Sequence, residues 1–290
     1  MKSNAIERAR AKLNLTMDVL EVQADGYHSV KTVMQTVEFA DTVRYIPGDL
    51  GIRAQSNLPW LPTDVKNLAV RAAELFARAA GIKIGGLIMI DKQIPVGGGM
   101  AGGSSNAAAV LRLLNREYNV GFTSKELEKL SEKLGSDVPF CVCGGTVLAE
   151  GRGEKLTELR PVPSCSVVIC RPDFFVSTPE LFTAIDSLKI TAHPDTAGML
   201  EAIEKGDINA IARRVFNVFE AALPGRQAKA VSIVKSMMLD MGALASSMTG
   251  TGSAVFGLFG DTDEAARAVT IFIKEGYSAW LTRTSPRQEL

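Results

Sequence analysis

The sequence predicts an α+β fold made of two domains, and three patterns carry this prediction. Near the N-terminus, apolar residues alternate along strand-like segments separated by turn residues, a pattern typical of an antiparallel meander. A strand, a glycine-rich loop, a helix and a further strand follow, an order that favours an α+β layer over a doubly wound sheet. Two prolines in LRPVPS, residues 159–164, mark a change of composition. We therefore expect domains at 1–158 and 159–290.

The first half is predicted to begin with a half-buried strand over residues 5–22. Its apolar and polar side chains alternate, which places two sets on opposite faces: Leu13, Leu15, Met17 and Val19 on one, Lys12, Asn14, Thr16 and Asp18 on the other. An Asp25-Gly26 turn leads to a strand over 30–37. A loop over 47–64 follows, with a short strand near Ile52, and then a helix over 67–80 stopped by Gly81. The next elements are a strand over 85–94 and a helix from Ser104. The last helix begins with a Thr123–Glu126 capping box and ends at Gly135.

The second half is predicted to mix strands and helices. The expected strands are 166–170, 243–248, a segment within TGTGSAVFGLF after its glycine turn, and 277–283. The expected helices are 178–187, 196–205, 207–222, 226–241 and 262–275.

Composition excludes several classes of protein. The 290 residues are 46% hydrophobic and 22% charged, and 32 basic residues balance 32 acidic ones, which argues against a nucleic-acid partner held mainly by counterion release. No apolar run has the length of a membrane span, and residues 1–10 lack the apolar core of a signal peptide, so we expect a cytoplasmic protein without a membrane partner. The oligomeric state is left open.

Four cysteines lack the spacing of a metal site. They stand at 141, 143, 165 and 170, and the only histidines are His28 and His193. We interpret the cysteines as reduced core residues rather than as metal ligands or disulfides.

A glycine-rich segment, PVGGGMAGGSSNAAAVL at 95–111, is the strongest functional signal. Glycines accept unusual backbone angles and let a ligand approach bare N–H groups, and a helix N-terminus follows at once. A strand, a glycine loop and a helix N-terminus together predict an anion site for nucleotide phosphates. The segment is neither a Walker loop nor the dinucleotide fingerprint. The alternative interpretation is a flexible connection.

Other candidate residues have a structural alternative to a chemical role. The hydroxyls of Ser104 and Ser105 suit phosphate or metal, but serine also caps helices. Asp137, in GSDVP, suits a general base or a hydroxyl-orienting carboxylate, yet its spacing favours a helix cap. Lys12 suits a cation beside that carboxylate, where it would keep the carboxylate ionised and stabilise developing charge, but a solvated strand lysine fits equally.

Three segments resemble the GHMP kinase superfamily, which phosphorylates small alcohols and acids with ATP. They are AKLNLTMDVLEVQADGYHSVKTVMQTVEFADTV at 11–43, the glycine loop with GSDVPF and Ala-Glu-Gly (149–151) downstream, and MTGTGSAVFGLF at 248–259. The DGYH segment narrows the resemblance to the branch acting on 4-diphosphocytidyl-2-C-methyl-D-erythritol. This chain departs from many relatives at Ser253-Ala254, where they carry Pro-Thr.

The resemblance implies a two-domain kinase with its active site in the cleft between the domains. It implies transfer of the γ-phosphate of ATP to the 2-hydroxyl of that substrate, in the non-mevalonate isoprenoid precursor pathway, with Mg²⁺ arriving on ATP and its protein ligands unassigned. The implied catalytic pair is Lys12 and Asp137. The implied nucleotide residues are Asn67, Pro95, Gly97, Gly98, Gly99, Gly102, Gly103, Ser104, Ser105 and Asn106. The implied substrate residues are Asn14, Tyr27, His28, Phe182, Gly250, Thr251 and Gly252.

Two rival functions stay open at this stage. Another kinase of the superfamily, for homoserine or mevalonate, would lack a cytidine pocket, and the DGYH and KLN segments speak against it. A non-catalytic ligand sensor on the same scaffold could keep the nucleotide loop, but it would have no need of both Lys12 and Asp137.

Overall fold

Two β-sheets flanked by helices form the protein, in a computed structural model that describes residues 5–22 and 26–288. One sheet has seven strands and the other four. Asp25, the first residue of the predicted turn, lies outside the described residues.

The first half contains six strands and four helices of the described chain. The strands are β1 (Ala5–Val22), β2 (His28–Pro47), β3 (Arg53–Ser56), β4 (Gly86–Asp91), β5 (Thr146–Glu150) and β6 (Lys155–Glu158). The helices are α1 (Leu68–Ala80), α2 (Gly102–Glu117), α3 (Ser124–Ser131) and α4 (Val138–Cys143). The predicted stop of α1 at Gly81 and the Thr123–Glu126 capping box are present, and the Asn67 side chain caps α1. Helix α3 ends at Ser131 rather than at the predicted Gly135.

The seven-stranded sheet is built around the two longest strands. β1 and β2 pair antiparallel, and the sheet order is β3-β4-β2-β1. The antiparallel pairing of the predicted meander is present, but the strands do not follow one another as a meander, because β2, which is 20 residues long, also pairs with two more strands on its other edge. Its C-terminal end pairs with β4 and its N-terminal end with β5, and β5 turns back into β6.

Strand β1 is buried on both faces, so the prediction of a half-buried strand is wrong. Leu13 and Leu15 belong to a core shared with the second half of the chain, as expected for the apolar face. The polar side chains of Lys12, Asn14 and Thr16 are buried as well. The glycine loop and the segment around Thr249 cover them, and the Lys12 amide donates to the Met100 carbonyl.

The second half contains the four-stranded antiparallel sheet. This sheet contains β7 (Ser166–Arg171), β9 (Ala245–Met248), β10 (Val255–Phe259) and β11 (Ser278–Arg283), in the order β11-β7-β10-β9. The fifth strand of the second half, β8 (Phe216–Asn217), belongs to the seven-stranded sheet. The helices of the second half are α5 (Thr178–Asp186), α6 (Thr196–Lys205), α7 (Ile208–Ala212), α8 (Gly225–Asp240) and α9 (Thr262–Lys274).

The single helix predicted over 207–222 is wrong. The segment is a short helix α7, the two-residue strand β8, and a 3-10 helix at Val218–Ala222. β8 runs parallel to β1, with Phe216 opposite Thr16. The Asn217 side chain donates to the Met248 and Gly250 carbonyls, so contacts with distant parts of the chain override the local helical spacing.

The last described residues return from the second sheet to the first half. Thr284 bridges to Val37, and Arg287 bridges to Gly144 beside the end of α4. The Ser285 amide donates to the Thr36 carbonyl at 2.8 Å. We call residues 284–288 the C-terminal tail, and its contacts join the segment after β11 to β2 and α4.

Candidate active site

The glycine-rich segment forms a tight loop between β4 and α2. Gly97 and Gly99 have φ angles of 72° and 75°, in the left-handed region that glycine tolerates. The residue before α2 is Ala101, and its side chain cannot cap the helix. Ser104 and Ser105 lie inside the first turn of α2, so the interpretation that they cap it is wrong. The first turn of α2 therefore presents backbone N–H groups without a side-chain cap, as an anion site requires.

The glycine loop packs directly against residues 249–254 of the MTGTGSAVFGLF segment. A Cβ atom on Gly99 would lie 2.1 Å from the Thr249 carbonyl oxygen, so only glycine fits there. The Ala254 amide donates to the Gly98 carbonyl at 3.3 Å. Residues far apart in sequence are thus joined at one point, which fixes the loop against the second half of the chain.

Asp137 and Lys12 lie together on the same side of this loop. The Lys12 ammonium is 3.8 Å from the Asp137 carboxylate, and it donates to the Asn14 side-chain oxygen at 2.6 Å. Lys12 is only 4% exposed, so it is not a solvated strand lysine. Asp137 stands at the cap position of α4 but makes no side-chain cap hydrogen bond, and 38% of its side chain is exposed. Its carboxylate is therefore available to a ligand.

Two cavities meet at the glycine loop. The larger, of about 620 Å³, is lined by Lys12, Asn14, Asp137 and Phe182 among others, and we call it the acceptor cavity. The smaller, of about 390 Å³, extends from the loop to Asn67, and we call it the nucleotide cavity. Both are lined by Gly97, Gly99, Ala101 and Ser104. A phosphoryl group held at this shared edge would face the Asp137 side of the acceptor cavity.

Aromatic side chains form part of the wall of the acceptor cavity and pack around it. Phe182 packs at 4.9 Å, centroid to centroid, against both His28 and Phe219. The His28 ring also contacts the Asp186 carboxylate at 2.6 Å. The Arg152 guanidinium lies 4.1 Å from the centre of the Tyr27 ring. Five of the predicted substrate residues line the cavity: Asn14, Phe182, Gly250, Thr251 and Gly252. His28 and Tyr27 do not line it, but each contacts a residue that does, His28 the ring of Phe182 and Tyr27 the guanidinium of Arg152.

Family models and relatives agree with this arrangement. The GHMP kinases N terminal domain matches residues 67–145, and the GHMP kinases C terminal domain matches residues 199–278. A 4-diphosphocytidyl-2-C-methyl-D-erythritol kinase of Clostridium botulinum (strain Eklund 17B / Type B) is 42% identical over 96% of this chain and 99% of its own length. The chain belongs to the 4-diphosphocytidyl-2-C-methyl-D-erythritol kinase family. The predicted family and enzyme class, a small-molecule kinase, are confirmed.

Further relatives of the family support the assignment. A Geobacillus kaustophilus enzyme of the same name is 45% identical over 87% of both chains. A crystal structure of a 4-(cytidine 5'-diphospho)-2C-methyl-D-erythritol kinase superposes with a TM-score of 0.82 at 32% identity, covering 97% of this chain and 99% of that one. A homoserine kinase from Cytophaga hutchinsonii, at 21% identity and a TM-score of 0.77, covers 100% of this chain and 96% of its own; it shares the fold. The predicted α+β kinase architecture is confirmed, and membership implies use of ATP.

Three residues that the family resemblance places at the nucleotide use their side chains within the protein. The Ser105 hydroxyl donates to the Arg10 carbonyl at 2.6 Å. The Asn106 amide contacts Asp41 and Lys92, beneath the loop. The Asn67 amide caps α1 and donates to the Pro62 carbonyl. Asn67 and Asn106 line the nucleotide cavity, as do the loop glycines, Pro95 and Ser104.

Two features of the kinase site were missed by sequence reasoning. Phe175 is 72% exposed, lines the acceptor cavity, and lies over Gly97, where a Cβ atom would be 3.2 Å from its ring. The second feature is the buried pair of Asp41 and Lys92 under the loop. Phe175 stands next to a core residue, Phe174, and the pair of phenylalanines is the only signal for it in the sequence.

The four cysteines are buried thiols. Burial raises the pKa of Cys141 and Cys170 to about 12 and that of Cys143 and Cys165 to about 11, so the thiols stay protonated and unreactive. Within residues 5–22 and 26–288, no group of three His, Cys, Asp or Glu side chains is placed to hold a metal ion. Over the same residues, no helix is long and apolar enough to cross a bilayer.

Proposed function

We propose that this kinase transfers the γ-phosphate of ATP to the 2-hydroxyl of 4-diphosphocytidyl-2-C-methyl-D-erythritol, a step of the non-mevalonate isoprenoid precursor pathway. One observation carries the proposal. The Lys12–Asp137 pair opens into a cavity whose wall includes Gly97, Gly99 and Ser104, the same residues that border the nucleotide cavity. Donor and acceptor bound on the two sides would meet at the loop, which is the alignment that phosphoryl transfer needs.

The donor half of the reaction rests on the glycine loop. The uncapped first turn of α2 and the loop amides supply hydrogen-bond donors and the positive end of the helix dipole to the phosphates. Mg²⁺ is expected to arrive on ATP, because Mg²⁺ commonly keeps several waters and is held through substrate phosphates. Ser104, which borders both cavities, offers a hydroxyl to the phosphates or the ion.

The acceptor half rests on Asp137 and Lys12. Asp137 would accept or orient the proton of the attacking hydroxyl as that oxygen approaches phosphorus. Lys12 would stabilise the negative charge that develops on the acceptor oxygen. Asn14 accepts from Lys12 and donates to Thr32 at 2.8 Å, so the ammonium is held in place before substrate arrives. These contacts favour a catalytic site over a ligand sensor, which has no use for a preorganised pair.

Recognition of the cytidine portion is assigned to the aromatic wall. The Phe182 ring packs edge-to-face against Phe219, which lines the same cavity, and cytosine would stack on the part of the Phe182 ring that faces the cavity. His28, held by Asp186, would contact the base by hydrogen bonds rather than transfer a proton. Thr251 contacts Thr178 at 2.8 Å, and both line the same cavity, where Thr251 would lie beside the substrate phosphates.

The proposal is tested by an ADP-release assay with the cytidine diphosphate substrate beside mevalonate and homoserine. We expect turnover with the first alone. Asp137→Asn should lower kcat by at least about 100-fold, the scale of a general base, while leaving the Kd for ATP within about twofold. Asp261→Asn is the matched control, because Asp261 is the true cap of α9 and asparagine caps equally well. Normal turnover by Asp137→Asn would refute the assigned base.

A further inference from the structure

A single buried carboxylate lies beneath the glycine loop and takes no part in lining either cavity. Asp41, on β2, is completely buried. One of its oxygens accepts from the Gln93 amide at 2.7 Å and from the Ile94 amide at 2.8 Å. The other accepts from the Asn106 side chain at 2.8 Å and from the Lys92 ammonium. Four donors therefore converge on one carboxylate.

These four donors stand on the two sides of the glycine loop. Lys92, Gln93 and Ile94 come immediately before Pro95, where the loop begins. Asn106 lies in the first turns of α2, where the loop has ended. The Lys92 ammonium also donates to the Asn106 side-chain oxygen at 3.1 Å, which closes a ring of contacts. Asp41 thus holds the entry and the exit of the loop at a fixed separation.

Only an ionised carboxylate meets all of these requirements at once. It is acceptor-only, with about four lone-pair sites for the four donors. Its charge compensates the Lys92 ammonium, which is buried and would otherwise be very costly to keep there. The ammonium in turn lies below Gly102, where a Cβ atom would be only 3.0 Å away. The charge pair therefore supports the first residue of α2 from beneath.

We propose that Asp41 is a positioning residue for the nucleotide: it holds the two ends of the glycine loop so that the loop amides converge on the phosphates. This inference rests on the proposed function only in assigning the phosphates to the loop. Loss of the Asp41 carboxylate would let the strand end and the helix N-terminus separate. Affinity for nucleotide should fall, while the wall of the acceptor cavity that lies outside the loop, formed by Lys12, Asn14 and Phe182 among others, should change less.

The test compares Asp41→Asn with Glu220→Gln. Glu220 is a matched control, because its carboxylate pairs with Lys235 at 2.5 Å and accepts from Ser247 and the Met248 amide, while lining neither the nucleotide nor the acceptor cavity. We would measure the Kd of a non-hydrolysable ATP analogue without acceptor, the KM of each substrate, and the melting temperature. Asp41→Asn should raise the Kd at least about 10-fold and change the acceptor KM by a smaller factor. Glu220→Gln should lower the melting temperature and leave the Kd unchanged.

The outcomes separate this inference from the proposed function. A destabilised Asp41→Asn variant with wild-type affinity for the analogue would overturn the inference, since Asp41 would then be only a structural ion pair. If Asp41→Asn does not fold, Asp41→Glu takes its place, because it keeps the charge opposite Lys92 but shifts the carboxylate. A raised Kd for the analogue in Asp41→Glu would support the inference, and a wild-type Kd would overturn it. A wild-type protein that binds the analogue but does not phosphorylate the cytidine substrate would refute the proposed function alone.

Discussion

Gly103→Ala is expected to separate stability from nucleotide binding. Gly103 is an exposed residue in the first turn of α2, it lines the nucleotide cavity, and a Cβ atom at this position would meet no atom within 4 Å. The methyl group would therefore cause no clash in the unliganded protein. Because alanine is favoured over glycine in a helix, the free energy of unfolding should rise, by at most about 1 kcal/mol.

The same methyl group would stand in the path of a phosphate. A hydrogen bond to a charged group contributes about 1.5–3 kcal/mol, so the loss of one such contact should raise the Kd for ATP about 10- to 150-fold. Calorimetric titration with a non-hydrolysable ATP analogue gives the Kd, and thermal denaturation gives the stability.

Gly225→Ala is the control for this experiment. Gly225 is also exposed and begins helix α8, and a Cβ atom there would likewise have no neighbour within 4 Å, but the residue lies outside both cavities. The variant should keep the wild-type Kd. Wild-type affinity in Gly103→Ala would refute the reasoning, because the phosphates could not then rest on the first turn of α2.

Three further predictions concern the cavity wall, the contact between motifs, and the thiols. Phe182→Ala should raise the KM for the cytidine substrate about 10-fold or more, with the Kd for ATP unchanged, because base stacking contributes about 1–3 kcal/mol. Gly99→Ala should lower both the melting temperature and ATP affinity, because its Cβ would collide with the Thr249 carbonyl at 2.1 Å and its φ is 75°. The cysteines should resist Ellman's reagent at about pH 8 in the folded protein and react fully in urea. Because burial raises the pKa of each thiol, the protonated thiols contribute to the free energy of unfolding. This contribution is fully present below the pKa of an unfolded cysteine, about 8.5, and is lost as the pH rises toward 11–12.

Local signals in the sequence predicted much of the fold correctly. Helices α1, α3 and α6 are capped by side chains close to their first residues in the sequence, such as Asn67 and the Thr123–Glu126 box. The predicted starts of these three helices agree with the structure to within one residue. The glycine loop was identifiable because its chemistry lies in one continuous segment. Its partners at 249–252 could be placed beside it only through the family resemblance, because no local pattern reports a contact between segments so far apart in the chain.

The errors share one physical cause, which is contact between distant segments. Residues 216–217 became a strand because β1 offers them a parallel edge, although their spacing is helical. Alternation along β1 predicted one solvated face, but the loops that cover Lys12 come from later in the chain. Asp137 occupies a cap position, as its spacing indicated, yet its carboxylate faces Lys12, which spacing alone could not reveal. The domain boundary at 158/159 and the roles of the individual site residues stay predictions.

The C-terminal tail has a consequence for synthesis of the chain on the ribosome. The Gln288 amide donates to the Cys143 carbonyl at the end of α4, the helix that begins beside Asp137, and the Ser285 amide donates to Thr36. Both donors follow β11 in the chain, far downstream of β2 and α4. The first half can collapse before these residues are made, but the contacts at the end of α4 form only after β11 and residues 284–288 have left the exit tunnel, so a translation product that stops before residue 284 would lack them.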